Sequence, residues 1–183
     1  MTSGTPSPAY TRVPNALTLL RFAAIPLFVV LLLDDRDGPS WPAGIVFGLA
    51  GLTDQLDGYL ARRWRVESAF GKVADPLADR LMIDTAVVAL VLLDRLPWIA
   101  LVILVRDLVL VGGYRVVVPR GYEFRVSRLG KIATWGLYAS LGLVLVTEKG
   151  TWWALAYLWI NLGLAVVAAV QYVLRARREV ARA

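Results

Sequence analysis

Residues 54–79 read DQLDGYLARRWRVESAFGKVADPLAD. The stretch is flanked on both sides by long apolar runs, so its four aspartates, Asp54, Asp57, Asp75 and Asp79, fall on segments patterned as membrane helices. Acidic side chains are costly in hydrocarbon and are kept there for a function. Asp54, Asp57, Gly58 and Ala61 are spaced i, i+3, i+4 and i+7, which puts them on one face of an α-helix. Asp75 and Asp79, spaced i and i+4, share a face of the next. A short turn between two such helices runs them antiparallel, so the two acidic faces are expected to converge.

Carboxylates brought together without cations repel and raise one another's pKa. Divalent ions remove that conflict. The chain has no Cys and no His, so a zinc site is disfavoured and hard oxygen ligands point to Mg²⁺ or Mn²⁺. Two such ions about 3.5–4 Å apart clamp a phosphoryl group. Gly58, Ala61 and Gly71 leave no bulk beside the acids, so a ligand or a neighbouring helix can come close. Arg62, one turn beyond Gly58, is placed to meet a pyrophosphate. Without His, a general base must be a carboxylate, Lys, Tyr or water.

Composition sets the surroundings. The chain has 183 residues, 58% of them hydrophobic, too apolar for a soluble domain of this size. The expected class is all-α: a polytopic membrane bundle of six transmembrane helices with short connections. The spans are expected near Pro14–Leu33, Trp41–Trp64, Ala69–Leu93, Pro97–Val118, Val126–Val146 and Trp152–Leu174. Around this domain (13–175) lie a flexible N-terminal arm (1–12) and a basic tail (176–183). No cleavable signal peptide is expected, because the first residues are polar and the first apolar run exceeds signal-peptide length.

Fourteen of the 20 basic side chains fall on one side of this topology and three, Arg36, Arg95 and Lys149, on the other; Arg21, Arg80 and Arg106 lie within spans. That bias places both termini and the acidic stretch in the cytoplasm, in a multi-pass protein of the cell membrane. Trp41, Trp98, Trp152 and Trp153 fall near span ends, as interfacial aromatics do. The net charge of +6 sits beside apolar spans, so an anionic bilayer is the expected partner and nucleic acid is not.

Taken with its gaps, the pattern is Asp54-x-x-Asp57-Gly58-x-x-Ala61-Arg62, eight residues, then Gly71-x-x-x-Asp75-x-x-x-Asp79. It resembles the signature of the CDP-alcohol phosphotransferase family at every fixed position. The resemblance implies that the second and third spans bind a cytidine diphosphate group, through Asp54, Gly58, Ala61, Arg62 and Gly71. It also implies that Asp54, Asp57, Asp75 and Asp79 ligate one or two divalent ions and that Asp79 is the base for the acceptor hydroxyl. The donor implied is CDP-diacylglycerol, and a homodimer is implied by analogy. Two other readings of the acids exist: ion pairs with Arg62, Arg63, Lys72 and Arg80, which rarely recover their desolvation cost, and an ion-conducting bundle. Neither needs the glycines, Ala61 and Arg62 at these spacings.

The acceptor alcohol rests on other residues. The opening Pro14-Asn15-Ala16-Leu17-Thr18-Leu19-Leu20-Arg21 resembles that of phosphatidylglycerophosphate synthases and of the cardiolipin synthases that use CDP-diacylglycerol. Arg21, inside the first span, is assigned to a polar cavity. The fourth span carries Arg106-Asp107. Phosphatidylglycerophosphate synthases usually show Arg-Glu here and a second Arg eight residues after the first, where this chain has Tyr114; the departure resembles the cardiolipin synthase branch. The fifth span opens with Arg128-Leu-Gly-Lys131-Ile-Ala-Thr134, whose Gly-Lys-x-x-Thr resembles both. Arg21, Arg106, Arg128 and Lys131 are therefore the expected acceptor-binding residues, with glycerol 3-phosphate as the first expectation and phosphatidylglycerol as the second.

Overall fold

The computed structural model describes the backbone over residues 8–36, 38–64, 69–117 and 128–180, and side chains over 19–36, 38–53, 80–110 and 129–175. Among these residues every regular element is helical. Six α-helices follow in order: α1 (Pro8–Asp34), α2 (Trp41–Trp64), α3 (Ala69–Leu92), α4 (Val102–Val117), α5 (Arg128–Val146) and α6 (Trp152–Val180), with one 3₁₀ turn, Trp98–Leu101, before α4. Helix number and most boundaries match the expectation. The differences lie at the ends. α1 begins at Pro8, six residues before the expected start, since proline is well tolerated in a first helical turn. α6 runs on through Val180, so most of the basic tail is helical backbone. Two compact units divide the chain, Met1–Ala86 and Val87–Ala183, and the division falls within α3.

In the first unit α1 packs along α2. The connection between them is organised by Ser40, which is fully buried. Its hydroxyl donates to Asp35 Oδ2 at 3.0 Å and accepts from the backbone N–H of Ala43 at 3.4 Å, while Ser40 O accepts from Gly44 N at 2.9 Å. This is the geometry of a serine N-cap, and it starts α2 at Trp41. Phe28 and Leu32 of α1 meet Ala43, Phe47 and Ala50 of α2 in the core, with the two phenyl rings 5.8 Å apart. Spacings of four and seven residues put each set on one helix face. The small Ala43 and Ala50 let the helices approach closely.

In the second unit α5 packs along α6, and α4 also contacts α6. Ala133, Leu137, Leu141 and Val144 of α5 are buried, as are Ala154, Leu158, Leu162 and Ala165 of α6. Two residues beyond the end of α3, Asp94 sits at φ 52°, a left-handed position that aspartate tolerates better than most residues. The reversal lets Arg95 N and Leu96 N reach back to Leu90 O, which satisfies a carbonyl at the helix end. It also directs Arg95 inward. Its buried guanidinium donates to Val144 O at 2.7 Å and to Thr147 O, capping the end of α5. Burial pushes Arg95 below its usual value, and the nearby Glu148 carboxylate pulls it back up.

Leu129–Val146 and Trp152–Arg175 are long and apolar enough to cross a membrane, and Trp41–Thr53 is a shorter apolar segment. Charged residues interrupt the apolar run in α2 and α3, and α4 has only 16 residues. Large apolar side chains nevertheless cover the outside: Val30, Leu92, Leu108, Ile132 and Ile160 are all exposed. Such a surface suits lipid better than water. Trp41, Trp98 and Trp152 are exposed at the first position of their helical segments.

Candidate functional site

The backbone is helical through both halves of the acidic stretch. Asp54, Asp57, Gly58, Ala61 and Arg62 lie on α2 at i, i+3, i+4, i+7 and i+8; Gly71, Asp75 and Asp79 lie on α3 at i, i+4 and i+8. Each set therefore shares a face. The side chains of these eight residues, and that of Arg128, lie outside the described residues, and the expected convergence of the two acidic faces lies outside them as well. Asp54 is ten residues before the last residue of α2, Trp64, and Asp79 is ten residues after the first residue of α3, Ala69. Asp57 and Asp75 are seven and six residues from the same helix ends. At 1.5 Å per residue Asp54 and Asp79 each lie about 15 Å along the axis from that end of their own helix, and Asp57 and Asp75 about 10 Å.

α1 places a further charged residue beside α2. The Phe28–Phe47 contact sets the register of α1 on α2, since each ring is six residues from the end of its helix at the shared connection. Arg21 is 13 residues before Asp34, and Asp54 is 13 residues after Trp41. Arg21 therefore occupies the level of Asp54. It is only 2% exposed, on the same α1 face as Phe28 and Leu32. Burial keeps Arg21 off the outer surface of α1.

The donor set fits a hard divalent cation. Four carboxylates on two helical faces offer only oxygen ligands, the preference of Mg²⁺ and Mn²⁺. Among the described side chains no cluster of three or more acidic residues forms an alternative metal site.

A second constellation lies in the other unit. Arg106 Nη1 donates to Asp107 Oδ1 at 2.7 Å, and Nη2 donates to Thr134 Oγ1 at 3.3 Å. The side chains of Arg106 and Asp107 are 9% and 4% exposed. Thr134 Oγ1 in turn donates to Gly130 O at 3.0 Å. The Arg106-Asp107 pair of α4 and the Gly-Lys-x-x-Thr of α5 thus meet through one hydroxyl. Lys131 stands exposed one turn before Thr134. Thr134 was not among the residues expected to bind; its signal was its place in Gly-Lys-x-x-Thr. Arg95 was counted only for its charge, because capping a helix end roughly fifty residues away leaves no local pattern.

Residues 11–168 match the family model described as CDP-alcohol phosphatidyltransferase. The chain is 36% identical to a cardiolipin synthase (CMP-forming) of Streptomyces coelicolor, over 92% of this chain and 84% of that protein. It is 34% identical to a CDP-diacylglycerol–glycerol-3-phosphate 3-phosphatidyltransferase of Bacillus subtilis, over 73% of this chain and 76% of that protein. It is 32% identical to a probable phosphatidylglycerophosphate synthase of Mycobacterium tuberculosis, over 91% of this chain and 82% of that protein.

Proposed function

We propose that this chain, which belongs to the CDP-alcohol phosphatidyltransferase family, is an integral-membrane enzyme that moves the phosphatidyl group of CDP-diacylglycerol to an acceptor alcohol and releases CMP. The observation that carries the reading is the spacing of the acids on helical backbone, Asp54 and Asp57 on one face of α2 and Asp75 and Asp79 on one face of α3. Asp54, Asp57, Asp75 and Asp79 would hold one or two Mg²⁺ or Mn²⁺ ions, which supply charge neutralisation at the donor pyrophosphate. Gly58, Ala61 and Gly71 give the nucleotide room, and Arg62 meets the charge that gathers on the departing CMP. Asp79 takes the proton of the acceptor hydroxyl. The acceptor oxygen then bonds to the phosphorus that carries diacylglycerol, and the bond from that phosphorus to the CMP oxygen breaks.

The acceptor we favour is glycerol 3-phosphate, giving phosphatidylglycerophosphate; Arg21, Arg106, Arg128 and Lys131 are assigned to it. Phosphatidylglycerol, giving cardiolipin, is the second reading. It is supported by Asp107 after Arg106 where a glutamate is usual, by Tyr114 where a second Arg is usual, and by the Streptomyces relative. The remaining parts of the proposal are six spans in the cell membrane, termini and acidic stretch facing the cytoplasm, anionic lipid around the basic end, and a homodimer.

The experiment is product analysis in detergent with CDP-diacylglycerol, Mg²⁺ or Mn²⁺, and each acceptor in turn. CMP release with phosphatidylglycerophosphate as product is the expected result. Cardiolipin as product selects the second reading. No CMP release with either acceptor rejects the enzyme and leaves the ion-conducting bundle.

A further inference from the structure

Arg106 uses only part of its hydrogen-bonding capacity. A guanidinium carries five N–H donors. One reaches Asp107 Oδ1 and one reaches Thr134 Oγ1. Nε is buried and has no hydrogen-bond partner among the described residues. A buried donor left in that state is costly and calls for an explanation; an oxyanion beside it would satisfy it.

Thr134 has little freedom in how it meets Arg106. Its oxygen lies 3.0 Å from Gly130 O, one turn back on α5. A carbonyl oxygen only accepts, so the single hydroxyl proton of Thr134 is committed to Gly130. The oxygen is then left to accept from Arg106 Nη2. An arginine beside a carboxylate otherwise tends toward the two-pronged fork, with parallel bonds to both oxygens. The hydroxyl holds one arm of the guanidinium away from that arrangement.

We propose that Thr134 is a positioning residue for the acceptor: by holding Arg106 Nη2 it keeps the guanidinium from closing on Asp107, so that its remaining N–H groups serve the phosphate borne by the acceptor alcohol. This rests on the acceptor role proposed for Arg106. Glycerol 3-phosphate and phosphatidylglycerol both carry such a phosphate, as a monoester and a diester. A threonine that only bonds back to the carbonyl one turn earlier is an ordinary helix feature, and it would leave the acceptor's kinetics alone.

The test is steady-state kinetics of the full chain in detergent with CDP-diacylglycerol and a divalent ion, run in parallel with glycerol 3-phosphate and with phosphatidylglycerol. Thr134→Val removes the hydroxyl and keeps the shape; Thr134→Ser keeps the hydroxyl. With the acceptor the wild type uses, Thr134→Val is expected to raise acceptor KM about tenfold while kcat and donor KM stay within about twofold. Thr134→Ser is expected to hold acceptor KM within about threefold of wild type. If Thr134→Val does not fold, as read by thermal melting, Thr134→Ala takes its place with the same expectation. An unchanged acceptor KM, a loss spread evenly over kcat and both KM values, or a serine variant as impaired as valine overturns the positioning role. Those outcomes leave the proposed activity standing, because the wild type still transfers. A wild type that transfers to neither acceptor overturns both.

Discussion

Gly136 on α5 and Asn161 on α6 occupy space that admits only one side chain: a Cβ on Gly136 would stand 1.8 Å from Asn161 Oδ1. Asn161 is buried and held in place by its Nδ2, which donates to Tyr157 O at 2.8 Å. Glycine lets the amide lie against the α5 backbone, as small residues do where membrane helices pack closely. Gly136→Ala is expected to destabilise the second unit by about 1–3 kcal/mol, the usual cost of overpacking a tight contact. Asn161→Ala in the same chain should recover much of that loss. Thermal melting of the single and double variants in detergent measures both, and additive losses would count against the shared-space account.

Arg95 joins the α3–α4 connection to the end of α5 through Val144 O and Thr147 O. Arg95→Met should leave those carbonyls without their partner, at about 1–3 kcal/mol. Arginine ordinarily titrates far above neutrality. Although burial lowers Arg95, the cap should therefore stay charged, and the cost of losing it should be the same at pH 6 and pH 8. Melting curves of the variant and wild type at both pH values test the size and the pH independence. A penalty that appeared at only one pH would point to a different partner.

Asp79→Asn is expected to lower transfer by about 10²–10⁴-fold, the range for loss of a positioned general base. Donor binding should persist, because three carboxylates and Arg62 remain. CMP release, together with protection against melting by CDP-diacylglycerol, separates the two effects. Normal turnover would remove Asp79 from the role of base.

Chelation should abolish CMP release, and Mg²⁺ or Mn²⁺ should restore it, since four unshielded carboxylates gathered at the donor would repel its pyrophosphate as well as one another. Turnover that survives exhaustive chelation would exclude the metal assignment for Asp54, Asp57, Asp75 and Asp79.

Arg21→Met tests a residue placed by register. Arg21 lies at the level of Asp54 on the buried face of α1. The variant is expected to lower kcat/KM by at least about tenfold, as removal of a hydrogen bond to a charged group does, with melting little changed. A loss of melting temperature at full activity would make Arg21 a packing residue instead.

The order of apolar runs and the spacing of the aspartates are local properties. Hydrophobic length and helix period act over one to a few turns, so the six helices and the family signature were legible along the chain. The α2 boundaries, Trp41–Trp64, agree with that reading residue for residue. Helix register is a tertiary property, because it depends on which side chains interlock across two surfaces. The Phe28–Phe47 contact, and with it the level of Arg21, came only from α1 lying on α2. The same holds for Thr134 meeting Arg106 across 28 residues and for Arg95 capping α5 across 49. A buried donor takes whichever acceptor the packing brings within about 3 Å, and sequence separation does not enter that choice.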